Sequence, residues 1–444
     1  MDDRIKVVYS WIGPRGPIWN TELPNVLSLA AATYEARVDG RFFTEDFIYN
    51  RLFKESSDTF EIYPAFGINK DDNRPFIIPY TLFWRTEFEL YFLGRTGLLE
   101  FSHLPWHLTD LIRDKNGYIL IDHSVEAFMS DKSLNALHGY FRNIHMFPLY
   151  KVIYTTGCIN ASELYEDYCR RHNIPEGKEN RLTILPYTSS AYLFKNYLVD
   201  PSTEPTYDEN YIPEKLFLGW NRRFRPHRLE VGLHLESLRL VERSYLSFSR
   251  EHIEQPTETF MAQARHQRIV ERYSEVGMTE EHLYSFDSKL PLVLDGETEI
   301  QRMCSDEDHS SRPYYQNSLV SIITETNFSE NEVTLTEKSF KPFKEKHPFI
   351  SVAGPGALKH LREIGFKTFS EFWDESYDEE TNPDQRMMKI RDVFETISSW
   401  DNNQILDFRR RVKPLVEHNF QMIKNLSNDH LLVKITDVIR NNIN

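Results

Sequence analysis

The residues best suited to chemistry are Thr336, Glu337, Lys338 and Lys341, in the run Leu335-Thr336-Glu337-Lys338-Ser339-Phe340-Lys341-Pro342-Phe343-Lys344-Glu345. As a helix from Thr336 to Lys344, this run puts Glu337, Lys341 and Lys344 on one side, with Lys338 about 100° round the axis. A carboxylate at such a helix start can accept both hydroxyls of a ribose, and the adjacent ammonium can meet a diphosphate. Pro342 is expected to kink or end the helix, because it removes a backbone donor, so only the 336–338 turn is firmly helical. Spacing of this kind also describes a solvated helix with internal ion pairs, so other clusters must point the same way. The run continues into the apolar His347-Pro348-Phe349-Ile350-Ser351-Val352, which reads as a buried strand, and then into Gly354-Pro355-Gly356.

A second cluster, Asn221-Arg222-Arg223-Phe224-Arg225-Pro226-His227-Arg228, lies between an expected strand and an expected helix. Loops at the carboxyl ends of parallel strands line ligand crevices, and helix starts there favour anions. Four arginines at that point read as phosphate recognition, the alternative being a solvated basic turn. Upstream of the first cluster, the apolar Ser321-Ile322-Ile323-Thr324 ends in Glu325, a carboxylate placed to hydrogen-bond a sugar or ribose, or to serve as a turn residue.

These clusters need elements to hold them. The chain of 444 residues is 40% hydrophobic and 14% aromatic, enough for two packed cores. Net charge is −15, from 67 acidic and 52 basic residues, so the mean field repels polyanions. Cys158, Cys169 and Cys304 have neither metal-ligand spacing nor a disulfide framework and read as reduced thiols of a cytoplasmic protein. The N-terminus runs directly into a strand-like segment without a signal-peptide pattern, and no apolar run reaches the length of a membrane span.

The acidic, proline-bearing Asp200-Pro201-Ser202-Thr203-Glu204-Pro205-Thr206-Tyr207-Asp208-Glu209-Asn210 reads as a linker, dividing the chain into domains 1–205 and 206–444. Before it, strands are expected at Arg4–Ser10, Thr59–Pro64, Gly117–Asp122, Lys151–Tyr154 and Leu182–Pro186. Helices are expected at about Leu134–Arg142 and after Asn160, whose side chain is placed to cap. After it come strands at Lys215–Leu218, Ser318–Thr324 and Pro348–Val352, with helices from Pro226 and Pro355. Alternation of this kind argues for parallel sheets in both halves. The apolar stripes Met387, Ile390, Phe394, Ile397, then Val412, Leu415, Phe420, then Leu431, Leu432, Ile435, Val438 are helix faces for a core.

Thr336-Glu337-Lys338, a Pro-led hydrophobic strand and a Gly-Pro-Gly turn together resemble the donor half of GT-B glycosyltransferases, nearest to fucosyltransferase-like and exostosin-like families. A bacterial and viral group of glycosyltransferases shares Pro348-Phe349-Ile350, Gly365-Phe366-Lys367-Thr368-Phe369, Asp374-Glu375-Ser376-Tyr377-Asp378 and the Asn221 to Arg228 run. The match spans roughly residues 215 to 400. It implies a GT-B fold: two Rossmann-like domains with a cleft between them, an N-terminal acceptor domain, a C-terminal donor domain, and terminal helices packing across the junction. By the same resemblance the chain is a hexosyl- or pentosyltransferase whose donor is a nucleoside-diphosphate sugar. Glu337 would bind ribose, Lys338 with Arg223 or Arg225 the diphosphate, and Glu325 the sugar or ribose. Asn221, Arg222, Arg228, Thr336 and Lys341 complete the expected donor-binding set.

Glu337 and Glu345 have the spacing of the paired glutamates in retaining GT-B enzymes, whereas the fucosyltransferase-like pattern implies inversion and is preferred because the connection from Glu345 to Pro348 is short. An inverting enzyme needs a general base, and Asp122, His123 and Glu126 follow the clearest N-terminal strand; Glu87, Glu89, His103 and His107 are less well placed. Asp306-Glu307-Asp308 with His309 lies in a polar context unlike a metal-binding Asp-x-Asp, so no metal and no cofactor are expected beyond the donor substrate. A surface glycan is the favoured acceptor. The alternatives are a virus-encoded enzyme acting on hydroxymethylated DNA bases, with DNA as a partner, and a non-catalytic nucleotide-sugar-binding module.

Overall fold

The computed structural model describes residues 4–9, 11–13, 16–18, 53, 56–64, 68, 73–81, 106–124, 129–144, 146–188, 204–221, 225–251, 259–294, 311–329, 331–426 and 429–442. The chain divides into two compact units, Met1–Ser189 with Ser427–Asn444, and Ser190–Leu426.

In the first unit a six-stranded sheet is built from β1 (Ile5–Tyr9), β4 (Phe60–Pro64), β5 (Phe76–Thr81), β6 (Gly117–His123), β7 (Val152–Thr156) and β8 (Thr183–Pro186). Its order is β4-β1-β5-β6-β7-β8, and every pairing is parallel. The short strands β2 (Trp11–Gly13) and β3 (Gly16–Ile18) pair separately and antiparallel. β6 and β7 are buried along their whole length, as expected of strands that read as continuous apolar runs. Helices α1 (Trp106–Asp114), α2 (Asp131–His138) and α3 (Ala161–Arg171) accompany the sheet.

One central strand, β5, does not announce itself in the sequence, because Pro79 argues against an interior position. The fold accommodates it by register: β1 pairs only with Phe76 and Ile77, so Pro79 lies past the end of that ladder while β6 continues opposite it. The expected cap at Asn160 is also different. Asn160 precedes α3, but its side chain makes no capping bond and accepts instead from the Cys158 thiol at 3.0 Å.

In the second unit the sheet is β10-β9-β11-β12, all parallel, formed by β9 (Lys215–Asn221), β10 (Ser244–Phe248), β11 (Ser318–Thr324) and β12 (Phe349–Val352). Its main helices are α4 (Pro226–Ser237), α5 (Glu280–Lys289), α6 (Glu337–Lys344), α7 (Ala357–Glu363), α8 (Pro383–Ser398) and α9 (Asn402–Lys424). Pro342 does not end α6, which runs through it to Lys344. The helix is held from outside: Phe340 and Phe343 are buried, and Phe343 stacks on Phe366 with centroids 4.4 Å apart. Packing of this kind outweighs the lost backbone bond.

The last helix, α10 (Asp429–Asn441), groups with the first unit, where the Tyr118 hydroxyl donates to the Ile439 carbonyl at 3.3 Å. The acidic run that reads as a linker is strapped to basic side chains of its own unit. Lys346 pairs with Glu204 at 2.8 Å, Arg409 donates to the Asp208 carbonyl at 2.6 Å, and Lys413 pairs with Glu209 at 2.7 Å.

Candidate functional site

Strand order locates the site. The chain leaves β9 for β10 on one side and later supplies β11 on the other, so the order reverses between β9 and β11. In open parallel sheets ligands bind at the carboxyl ends of the strands flanking such a reversal. Asn221 ends β9 and Thr324 ends β11, and the Thr324 hydroxyl donates to Asn221 Oδ1 at 2.5 Å, tying the two strand ends together.

Helix α4 begins at this edge. Arg225 stands extended at its N-cap and is exposed, and Pro226 opens the first turn. The next two side chains turn inward. His227 Nε2 donates to the Glu325 carbonyl at 2.8 Å, and Arg228 donates to the Thr324 carbonyl at 3.1 Å. Burial and the neighbouring Arg228 push the His227 pKa down to about 3, so its imidazole is neutral with the proton on Nε2.

Glu325 is fully buried, and its carboxylate accepts three hydrogen bonds: from the Thr336 amide at 2.9 Å, the Thr336 hydroxyl at 2.7 Å and the Ser339 hydroxyl at 2.6 Å. Thr336 is the N-cap of α6, and its oxygen accepts from the Lys338 amide at 3.4 Å and the Lys338 ammonium at 3.0 Å. That ammonium also pairs with Glu337 at 2.8 Å, and the two side chains are 24% and 27% exposed. Burial alone would raise the Glu337 pKa, but Lys338 and Lys341 outweigh it and hold the carboxyl down to about 2. The helix start therefore presents an ionised carboxylate beside an ammonium, both partly open to solvent.

The residues expected from the sequence thus fall into two sets. Asn221, Arg228, Glu325 and Thr336 are buried and bonded to the protein. Arg225, Glu337, Lys338 and Lys341 are at least partly exposed. Glu325, expected to bind a sugar or ribose, has its carboxylate facing the start of α6 and closed to solvent. Arg222 and Arg223 lie outside the described residues, as do Glu126, Glu87, Glu89, His103 and the Asp306 to His309 run.

Glu345 is not a second carboxylate at the helix start. It follows the end of α6 and pairs with Arg312 at 2.9 Å, with its side chain 5% exposed. Past the Gly354-Pro355-Gly356 turn, the first amides of α7 are taken up by Asp378. Asp378 accepts from the Leu358 and Lys359 amides, both at 2.8 Å, and its own carbonyl accepts from the Gly356 amide at 2.7 Å.

In the first unit, Asp122 and His123 were expected to project from the end of β6, but both are buried, 1% and 0% exposed. β6 is flanked by β5 and β7, and the side chains at its end bond residues of β7. Asp122 accepts from the Thr155 hydroxyl at 2.7 Å and the Ser124 amide at 3.2 Å. His123 Nδ1 bonds the Tyr154 hydroxyl at 2.8 Å, and burial pushes its pKa down to about 4.

No family model matches the chain, and no curated protein matches it. Among solved structures it is similar to α,α-trehalose-6-phosphate synthase from Burkholderia multivorans, at 11% identity and TM-score 0.37, covering 83% of this chain and 72% of that one. A second trehalose-6-phosphate synthase structure aligns at 11% identity and TM-score 0.40, covering 82% and 74%. A glycosyltransferase from Rickettsia africae aligns at 11% identity and TM-score 0.34, covering 83% and 91%.

The motif Asp374-Glu375-Ser376-Tyr377-Asp378 is accounted for by the fold. Asp374 accepts from the Ser376 amide at 2.9 Å, and Glu375 accepts from the Phe369 amide and Thr368 hydroxyl, each at 2.7 Å. Tyr377 is buried against β12, and Asp378 caps α7. Sequence reasoning missed the structural parts of Ser339, His227 and Asp378, because each acts on a partner 14 to 98 residues away. No local pattern marks such pairs.

Proposed function

We propose that the chain is a glycosyltransferase that moves a sugar from a nucleoside-diphosphate sugar to an acceptor hydroxyl, within a GT-B architecture. The observation that carries this reading is the Glu337–Lys338 pair, ionised and partly open, at a helix start beside the β9/β11 reversal. The Glu337 carboxylate is suited to the paired hydroxyls of a ribose. Lys338, Lys341 and Arg225 supply positive charge for the diphosphate, which lets the leaving group be neutralised without a metal ion. With Glu345 committed to Arg312 and Glu325 buried, Glu337 is the partly exposed carboxylate of the α6 start, and this favours inversion. A net charge of −15 supports a glycan rather than a nucleic acid as the acceptor.

The test is a panel of UDP-, GDP- and dTDP-sugars, scored for binding, for donor hydrolysis and for transfer to glycan acceptors. Glu337→Ala and Lys338→Ala should each weaken donor binding by about tenfold or more, equivalent to about 1.4 kcal/mol. Unchanged donor affinity in both variants would refute the assignment, and binding without hydrolysis or transfer would identify a non-catalytic binder.

A further inference from the structure

We infer that Glu325 is a positioning residue that holds both walls of the candidate donor site through one backbone unit. The inference rests on the proposed donor reading. The Glu325 carbonyl accepts from His227 at 2.8 Å, and the preceding carbonyl, of Thr324, accepts from Arg228 at 3.1 Å, so the start of α4 is docked on the end of β11. The Glu325 side chain points to the other wall and takes three donors from Thr336 and Ser339 at the start of α6. A fully buried carboxylate needs such donors, and the positive end of a helix stabilises it further.

The carboxylate also sets the direction of a hydrogen-bond relay. The one proton of the Thr336 hydroxyl goes to Glu325 at 2.7 Å, which leaves the lone pairs of that oxygen to face Lys338. The Lys338 ammonium then rests between Thr336 at 3.0 Å and Glu337 at 2.8 Å. Glu325 acts through Thr336 on the two groups that would meet the ligand, without reaching the ligand itself.

Glu325→Gln tests this with little change of shape. The amide can still accept from the Thr336 amide and Ser339, but it presents N–H to the Thr336 hydroxyl, whose lone pairs then turn from Lys338. Binding of UDP, GDP and dTDP is measured by calorimetry on the full chain, with donor and acceptor KM measured in parallel. Expected is about a tenfold loss of affinity for whichever nucleotide the wild type binds, and a matching rise in donor KM with acceptor KM unmoved. Thr336→Val, which keeps the carboxylate but breaks the relay, should lose affinity similarly, and Thr336→Ser should restore what Val removes.

A folded Glu325→Gln with unchanged nucleotide affinity and donor KM would overturn the inference; should that variant not fold, unchanged affinity in Thr336→Val does so. A wild type that binds none of the three nucleotides, or Glu337→Ala and Lys338→Ala that both bind as well as wild type, gives a different pattern: the donor reading itself fails and takes the inference with it.

Discussion

Glu337 and Glu345 stand eight residues apart, at the first turn of α6 and just past its end, yet their surroundings give them different tasks. Glu337 is balanced by Lys338 and remains reachable, whereas Glu345 is enclosed with Arg312. Removing one partner of an enclosed pair leaves the other uncompensated and is strongly destabilising. Glu345→Gln should therefore cost roughly 2 kcal/mol of stability and leave nucleotide affinity within about twofold, read by thermal melting and calorimetry. A large loss of affinity at unchanged melting temperature would instead return Glu345 to the ligand site. At this scale the sequence shows the reactive groups and hides their partners. Thr336, Glu337 and Lys338 are adjacent and legible. The burial of Glu325 depends on Thr336 and Ser339 folding over it, and that of Asp122 on Thr155 in the next strand.

Three helices start at or near the carboxyl edge of the second sheet, and their caps distinguish them. α6 is closed by Thr336 backed by Glu325, and α7 by Asp378, while α4 opens with Pro226 and has no side-chain cap. Asp378 satisfies two first-turn amides with one buried carboxylate, so Asp378→Ala should cost about 1–2 kcal/mol and loosen the Gly354 to Gly356 turn. Equilibrium denaturation measures the loss, and nucleotide binding is expected to survive, since the donor set lies on α4 and α6. Survival of full stability would show that the cap is replaceable. Element types were mostly legible because the strands are apolar runs and the helices carry apolar stripes. Pro342 suggested an early end to a helix that aromatic packing sustains, and β5, which no expected strand covered, carries Pro79 where register makes room for it.

The two units should respond differently to acid. Five buried histidines have pKa values pushed down mainly by burial: His123 and His138 to about 4 in the first unit, and His227 and His234 to about 3 with His347 to about 4 in the second. Each stays neutral in the folded chain while the unfolded chain takes up a proton near pH 6.5. Stability present above that pH is therefore lost as pH falls, by roughly 1 kcal/mol per histidine at pH 5.5. The second unit carries an opposing set. Burial raises the pKa of Glu230, Glu375 and Asp378, whose protonation in the fold relieves a cost as pH falls. In the first unit Asp131 and Asp167, held low by arginine pairs, stay ionised at pH 5.5. Hydrogen exchange compared between pH 7.5 and 5.5, after correction for intrinsic rates, should show β6 and β7 losing protection before β9 and β11. Equal losses in the two units, or earlier loss in the second, would mean that its buried carboxylates do not offset its histidines.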